Sequence, residues 1–446
     1  MYRLGWVGTL MVLLASSVYA DNWPNWRGPS ATGVSPETGL PARWSNTENV
    51  AWKAPVRGLG ISSPIVWGDR VFVTSQVGRG VVQPGPRLFQ AGDAVAAGET
   101  PLGSAGAAAG PSGSGPGVSF LVTAFDRASG RRLWESQIES RGQLHEVHEK
   151  HNLATPSPVT DGERVYAWFG TGQIAALDMT GKIVWQRNLS AEYAPFEIGW
   201  GHSSSPVLHG DTLILLCYHT RSSYLLGLDA RTGQVRWKSD RENGVFSYST
   251  PFVAAAGAGG AAELIVNSSK GLSGHNPANG ALLWEIEEAS RFPIPVAVQH
   301  DGVIYTSRGY RSGPFLAIRP GGRGNVAGSH VIWRVPTGAP YVSSLIHYDG
   351  LIYMVGDVGV VTVSDAKTGE RVWQERIGGV FSASPVAGDG KIYLLSEGGE
   401  TVVLAAGRTP RILERNKLDA RQLASPAIAG GQLFIRSDNA LFAIGK

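Results

Sequence analysis

Most of this chain is written in short runs of β-branched and aromatic residues, separated by Gly-, Asp- and Pro-rich breaks. Runs of that length and composition read as strands, and no long helical apolar period interrupts them. The runs recur in a fixed order. A Ser-Pro-type step opens each unit: SSPIV at Ser62, PSPV at Pro156, SSPV at Ser204, STPFV at Ser249, PIPV at Pro293, SSLI at Ser343, SASPV at Ser382 and ASPAI at Ala424. An Asp-Gly or Gly-Asp pair follows in most units, as at Gly68-Asp69, Asp161-Gly162, Gly210-Asp211, Asp301-Gly302, Asp349-Gly350 and Asp389-Gly390. Such pairs tolerate the backbone angles of tight hairpin turns. The second run then reads RVFVTS, RVYAWFG, TLILLCY, VIYTS, LIYMV, KIYLLS or QLFIRS.

A third run leads through a turn into a fourth that carries a Trp. The clearest copies are AFDRASGRRLW (Ala124–Trp134), GLDARTGQVRW (Gly227–Trp237), GHNPANGALLW (Gly274–Trp284) and VSDAKTGERVW (Val363–Trp373); ALDMTGKIVW (Ala176–Trp185) is one residue shorter. Asp126, Asp178, Asp229 and Asp365 are expected to cap these turns through the backbone that follows them. Apart from one long first interval, successive openers lie roughly 40 to 50 residues apart, the spacing of propeller blades. The expected fold is all-β, an eight-bladed β-propeller of four-stranded antiparallel blades. Trp134, Trp185, Trp237, Trp284, Trp333 and Trp373 recur too regularly for independent sites and are expected to wedge between blades. The seventh unit has Leu413 in place of Trp, and the eighth stops after LFAIGK without a fourth run. NVAWKAPV (Asn49–Val56) has no partners of its own and carries Trp52 at the motif position. It is therefore expected to complete the last blade, which removes the open sheet edges of an unclosed ring.

The domain organisation follows. Residues 1–20 have the charged start, apolar middle and small-x-small ending of a signal peptide, and the apolar part falls short of the ~20 residues that span a bilayer. Residues 21–48 form an extended leader expected on the propeller exterior, and 49–446 form the propeller. Residues 77–117, rich in Gly, Ala, Pro and Ser, are a flexible insertion between the second and third strands of the first blade. Gly accounts for 59 of 446 residues and charged residues for only 17%, against typical shares of about 7% and about 25%. Both values suit many turns between well-buried strands. The net charge of +3, or +2 once Arg3 leaves with the signal segment, argues against nucleic acid or a polybasic membrane surface. The single cysteine, Cys217, lies in the apolar run LILLCYH, so no intramolecular disulfide can form and a buried small hydrophobe is expected. No cysteine follows the signal segment to take a lipid anchor, so a periplasmic or secreted location is expected, with no transmembrane segment after cleavage and a monomeric state.

The turn-plus-Trp segments resemble the tryptophan-docking repeats of the quinoprotein (pyrroloquinoline quinone, PQQ) propellers over Asn49 to Lys446. WPNWRGP at Trp23–Pro29 resembles the start of secreted PQQ-like-repeat proteins, and eight blades also resemble the propeller subunit of the outer-membrane β-barrel assembly machinery. The resemblance implies a fold strongly and a function weakly, because docking residues hold blades together and touch no substrate. Quinoprotein alcohol dehydrogenases of this shape carry adjacent cysteines against the quinone, a Ca²⁺ site and a catalytic Asp, and a lone Cys217 departs from that pattern.

Residues just before each innermost strand crown a propeller channel. Here they include His151, Asn152, His202, Phe246, Tyr248, Arg291, Tyr341, Phe381 and Gln422, a mixture able to line a ligand pocket; the bland alternative is that they plug the funnel. HEVHEKH places His145, His148 and His151 three residues apart, matching no standard zinc pattern, and a loop is the simpler reading. WGHSSS (Trp200–Ser205) lacks a nucleophile elbow. With no complete catalytic set, the expectation is a non-catalytic binding or scaffold module, without a cofactor, whose partner is a protein or an envelope polymer. The alternative is a dehydrogenase of alcohols or sugars with PQQ and Ca²⁺ in the channel.

Overall fold

The computed structural model describes residues 22–78, 82–83, 117–142, 144–255, 260–310 and 312–445; the signal segment and most of the insertion lie outside the described residues. The strand runs form eight separate blades of four antiparallel strands, one of them widened by a fifth strand; in blades 1 to 7 the four run in chain order from the inside outwards. Blade 1 comprises Ile65–Trp67, Arg70–Val77, Ser119–Asp126 and Arg132–Glu139, and blade 2 begins with Val159–Thr160. Blades 3 to 8 begin at Val207–His209, Phe252–Ala254, Val298–His300, Ile346–Tyr348, Val386–Gly388 and Ala427–Ala429. The outer strand of blade 8 is Val50–Pro55, paired antiparallel with Ala440–Ile444. The first strands of blades 8 and 1 touch, which closes the ring.

Sequence explains each joint. Asp126, Asp178, Asp229 and Asp365 accept the backbone N–H of Ser129, Thr180, Thr232 and Lys367 at 2.8–3.0 Å, so the third-to-fourth turn is held by its own carboxylate. The glycine ending each turn, Gly130, Gly181, Gly233 or Gly369, has φ between +69° and +90°. Between blades, that glycine lies flat against the preceding blade's indole. Trp52, Trp134, Trp185, Trp333 and Trp373 each donate Nε1–H to a carbonyl in the next blade: Arg127, Met179, Ala230, Ala366 and Gly407, at 2.8–3.1 Å. Trp237 lies against Gly280 in the same way, but its Nε1 has no acceptor.

Trp284 departs from the series. The third-to-fourth connection of blade 5 is enlarged, and its Gly324–Asn325 adds a fifth, parallel strand to the edge of blade 4. Trp284 is thereby fully buried and donates instead to Glu263 Oε2 at 2.9 Å, which also accepts Gly321 N–H at 3.0 Å.

The Ser of each opener supplies a second joint. Ser63 N–H donates to Ser157 Oγ, Ser157 N–H to Ser205 Oγ, and Ser205 N–H to Thr250 Oγ1. On the other side Val296 N–H donates to Ser344 Oγ, Ser344 N–H to Ser384 Oγ, and Ser384 N–H to Ser425 Oγ, all six at 2.9–3.0 Å. These hydroxyls belt the inner edge of the ring and satisfy buried donors that no strand partner reaches. Blade 5 carries Val296 at this position, and its first strand starts at Val298. The functional opener there is Pro295-Val296, two residues beyond the Pro293 expected from the motif.

Candidate functional site

Two ends of the ring are distinct. The lower end carries the turns between first and second and between third and fourth strands; the upper end carries the other loops. The leader occupies the lower mouth. Trp23 exchanges two 2.9 Å backbone bonds with Val66 of blade 1, and Pro24 O accepts from Thr160 of blade 2. Arg27 then reaches Leu345 O of blade 6 at 2.8 Å. Blades 2 and 6 face each other across a ring of eight, so the chain crosses the axis here. It continues along blade 7, where Gly33 O accepts from Ala387 N and Ser35 N donates to Ala387 O. Near the outer strand of blade 7, Trp44 N–H donates to Asn416 Oδ1 and Ala42 O accepts from Asn416 Nδ2, both at 2.8 Å. Trp23, Arg27, Leu40 and Trp44 are buried. The leader is therefore an internal crossing piece, not an exterior stretch, because WPNWRG turns tightly with Arg27 and Gly28 both at positive φ.

The upper mouth is rimmed by two contrasting arcs. The aromatic arc runs from His148 to Trp200 (ring centroids 5.2 Å), from Trp200 to Phe292 (6.3 Å), and from Phe292 to Tyr248, Tyr310 and Tyr341 (6.3, 4.9 and 6.1 Å). Phe246 joins through Tyr248, and the Arg291 guanidinium carbon lies 5.6 Å from the Phe292 ring centroid. The acidic arc consists of Asp357, Glu397 and Asp438, at matching positions in the second-to-third loops of blades 6, 7 and 8. Glu397 accepts Lys150 Nζ at 2.7 Å and Ser382 Oγ at 2.6 Å. Lys150 comes from the loop between blades 1 and 2, so this ion pair bridges part of the mouth. Burial pushes Asp357 up to about 6 and also raises Asp438, while Tyr341 is raised by burial and by Asp357. Val82–Gln83 of the insertion pairs in parallel with Val147–His148, which places the foot of the insertion beside this mouth.

The sequence candidates fall into three groups. Phe246, Tyr248, Arg291 and Tyr341 belong to the aromatic arc. Asn152, His202, Phe381 and Gln422 are buried. Asn152 Oδ1 accepts Ala154 N–H at 2.9 Å, His202 Nδ1 meets His219 Nε2 at 3.2 Å, and both amide atoms of Gln422 lack partners. His151 bonds Thr155 Oγ1 at 3.2 Å, and burial holds it at about 4. Trp200, Phe292, Tyr310, Lys150 and the acidic arc escaped the sequence reading. The acidic residues share one register, directly after the second strand, and that periodicity was the available signal.

The histidines of His145–His151 do not gather on one point. His148 accepts from Lys150 N–H at 3.0 Å while His151 turns to Thr155, and among the described residues no three His, Cys, Asp or Glu side chains converge to hold an ion. Cys217 is buried, with its thiol pushed up to about 12 by desolvation, and as the single cysteine it has no neighbour with which to form an adjacent pair.

A family model described as outer membrane protein assembly factor BamB matches residues 119–310, 306–404 and 357–445. BamB of Yersinia pestis is 25% identical over 270 residues, covering 57% of this chain and 61% of that protein; the match thus spans about three-fifths of the relative's length. Among solved structures, BamB from Moraxella catarrhalis aligns with a TM-score of 0.53 at 15% identity, over 73% of this chain and 88% of that one. The computationally designed Ika8 protein aligns with a TM-score of 0.51 at 12% identity, over 74% and 94%. These two likenesses concern the fold alone. Blades 1 to 8 from Ser119 onwards carry the family pattern, and the chain belongs to the outer membrane protein assembly factor BamB family.

Proposed function

We propose that the chain is an exported, non-catalytic binding module of the cell envelope that docks a polypeptide on its upper rim. The observation that carries this reading is the rim itself. Half-buried aromatic rings offer apolar area with little side-chain entropy to lose, and the facing carboxylates supply orientation, as interface anchors do. Family membership supports it, since the matching family model and the Yersinia pestis relative are named for outer membrane protein assembly. The signal-like segment and the small net charge agree with a periplasmic setting.

The test is capture of envelope polypeptides by immobilised protein, with Phe292→Ala as the comparison. Retention of specific chains by the wild type and their loss with Phe292→Ala is the expected result. Background proteins alone, together with PQQ- and Ca²⁺-dependent dye reduction by the isolated chain, would overturn the reading.

A further inference from the structure

The three carboxylates of the upper mouth are not equally served. Glu397 pairs with Lys150 at 2.7 Å, and Arg421 lies 3.8 Å from Glu397 and 4.0 Å from Asp438. Among the described residues no lysine or arginine pairs with Asp357. Its Oδ1 accepts Val342 N–H at a long 3.4 Å. Phe381 N–H donates to Asp357 O at 2.9 Å, so the loop that carries this carboxylate is tied to blade 7.

Asp357 stands where the aromatic arc ends. Its donor Val342 directly follows Tyr341, and the Tyr341 phenol feels both Asp357 and Arg291. Tyr341 lies 5.2 Å from Tyr310 and 6.1 Å from Phe292, centroid to centroid, and all three rings are half-buried. The arc already accommodates one cation, since the Arg291 guanidinium carbon is 5.6 Å from the Phe292 centroid. A desolvated carboxylate without a countercharge is costly. Burial pushes Asp357 up to about 6, with Lys150 opposing the rise and Glu397 adding to it.

An arriving cation removes that cost. A planar guanidinium does so best, because its fork bonds a carboxylate while its plane stacks on an aromatic face. We infer that the polypeptide segment docked on the rim carries an arginine whose guanidinium seats between Asp357 and the face of Tyr341. This inference rests on the reading of the rim as a polypeptide-docking surface and specifies which segments it selects. Phe292 and Trp200 continue the arc beyond Tyr341 and receive the apolar neighbours of that arginine. A lysine matches the charge but not the stacking, and an acidic residue at the same place is repelled by Asp357 and Glu397.

Fluorescence anisotropy with a labelled peptide Thr-Val-Tyr-Arg-Val-Thr tests the inference, beside its citrulline counterpart, which keeps the shape and lacks the charge. The arginine peptide is expected to bind the wild type about tenfold more tightly than the citrulline peptide, and Asp357→Asn is expected to close that gap. Equal binding of the two peptides, lost for both with Phe292→Ala, overturns the arginine site and leaves the rim reading in place. A gap that persists in Asp357→Asn, or no binding of the arginine peptide by the wild type, also overturns the site, while capture of envelope polypeptides decides the rim reading separately. Should Asp357→Asn fail to fold, Tyr341→Leu decides: it keeps apolar bulk without a ring face, and an unchanged gap there overturns the site.

Discussion

Gly233 and Gly210 lie in the same blade with left-handed backbone, at φ +72° and +57°, yet they meet different surroundings. A Cβ at Gly210 would touch nothing within 4 Å, whereas one at Gly233 would stand 2.7 Å from Trp185 Cδ2 and 2.8 Å from Cε3. Left-handed backbone alone costs an alanine about 1 kcal/mol, so Gly210→Ala should lose about that much. Gly233→Ala bears the same cost plus overpacking of roughly 1–3 kcal/mol. The indole cannot withdraw freely, because its Nε1 donates to Ala230 O at 2.9 Å and retreat would forfeit about 1 kcal/mol. The expected loss is therefore about 2–4 kcal/mol, read as a fall in urea midpoint at constant slope. Adding Trp185→Ala should recover the overpacking share, giving a coupling of roughly 1–3 kcal/mol. Equal losses for the two glycine variants, or no coupling, would refute the view that blades seat ring against glycine.

Glu263 serves both Trp284 Nε1 and Gly321 N, so Glu263→Ala should cost roughly 2–4 kcal/mol by stranding two buried donors. Glu263→Gln, which keeps an acceptor, should cost less than half of that in the same urea assay. Burial holds His219 at about 3 and His275 at about 4, below the usual 6.5. The unfolded chain then binds more protons below pH 6.5, so stability is fully present above that pH and is lost as pH falls towards 4. From pH 8 to pH 5 each group should remove about 2 kcal/mol; a flat urea-midpoint profile, or one unchanged by His275→Gln, would contradict this. Glu397→Gln weakens the tie to Lys150, and limited proteolysis should then cut the loop around residues 144–155 faster than in the wild type.

Blade number, strand order and the closing strand at Trp52 were legible because each rests on local chemistry. Ser-Pro openers, Asp-capped turns and a Gly set three or four residues after the Asp recur in the same order in unit after unit. What did not show was anything set by the ring as a whole. The Ser of each opener looked like a strand start, and only the closed ring reveals its hydroxyl as an acceptor for the neighbouring blade. Leu413 looked like a decayed motif, but the turn before it is one residue longer and the strand register sets Glu414, opposite Val403, where Trp373 stands in blade 6. In the ring, the adjoining blade 8 is closed by Val50–Pro55 and has no third-to-fourth turn for an indole to seat against. Trp44, arriving with the leader, packs with Leu413 and Tyr393 in one apolar cluster there. His202 and Gln422 occupied the expected register, but register places a residue at the channel end without saying whether its side chain points into the mouth or beneath it. Phe292 was passed over beside Arg291, although the ring, not the guanidinium, is the centre of the arc.

Closure through Val50–Pro55 also dictates when the molecule can become itself. Val50–Pro55 finds its partner, Ala440–Ile444, only after the seven blades that lie between them in sequence have been made. The leader's supports at Leu345 and Ala387 likewise come late. Contacts so distant in sequence are slow to form, and until they do, blades 1 and 8 present bare margins that invite aggregation. Until Ala440–Ile444 emerges, the nascent chain is therefore an unlatched crescent, and that one strand converts it into a wheel.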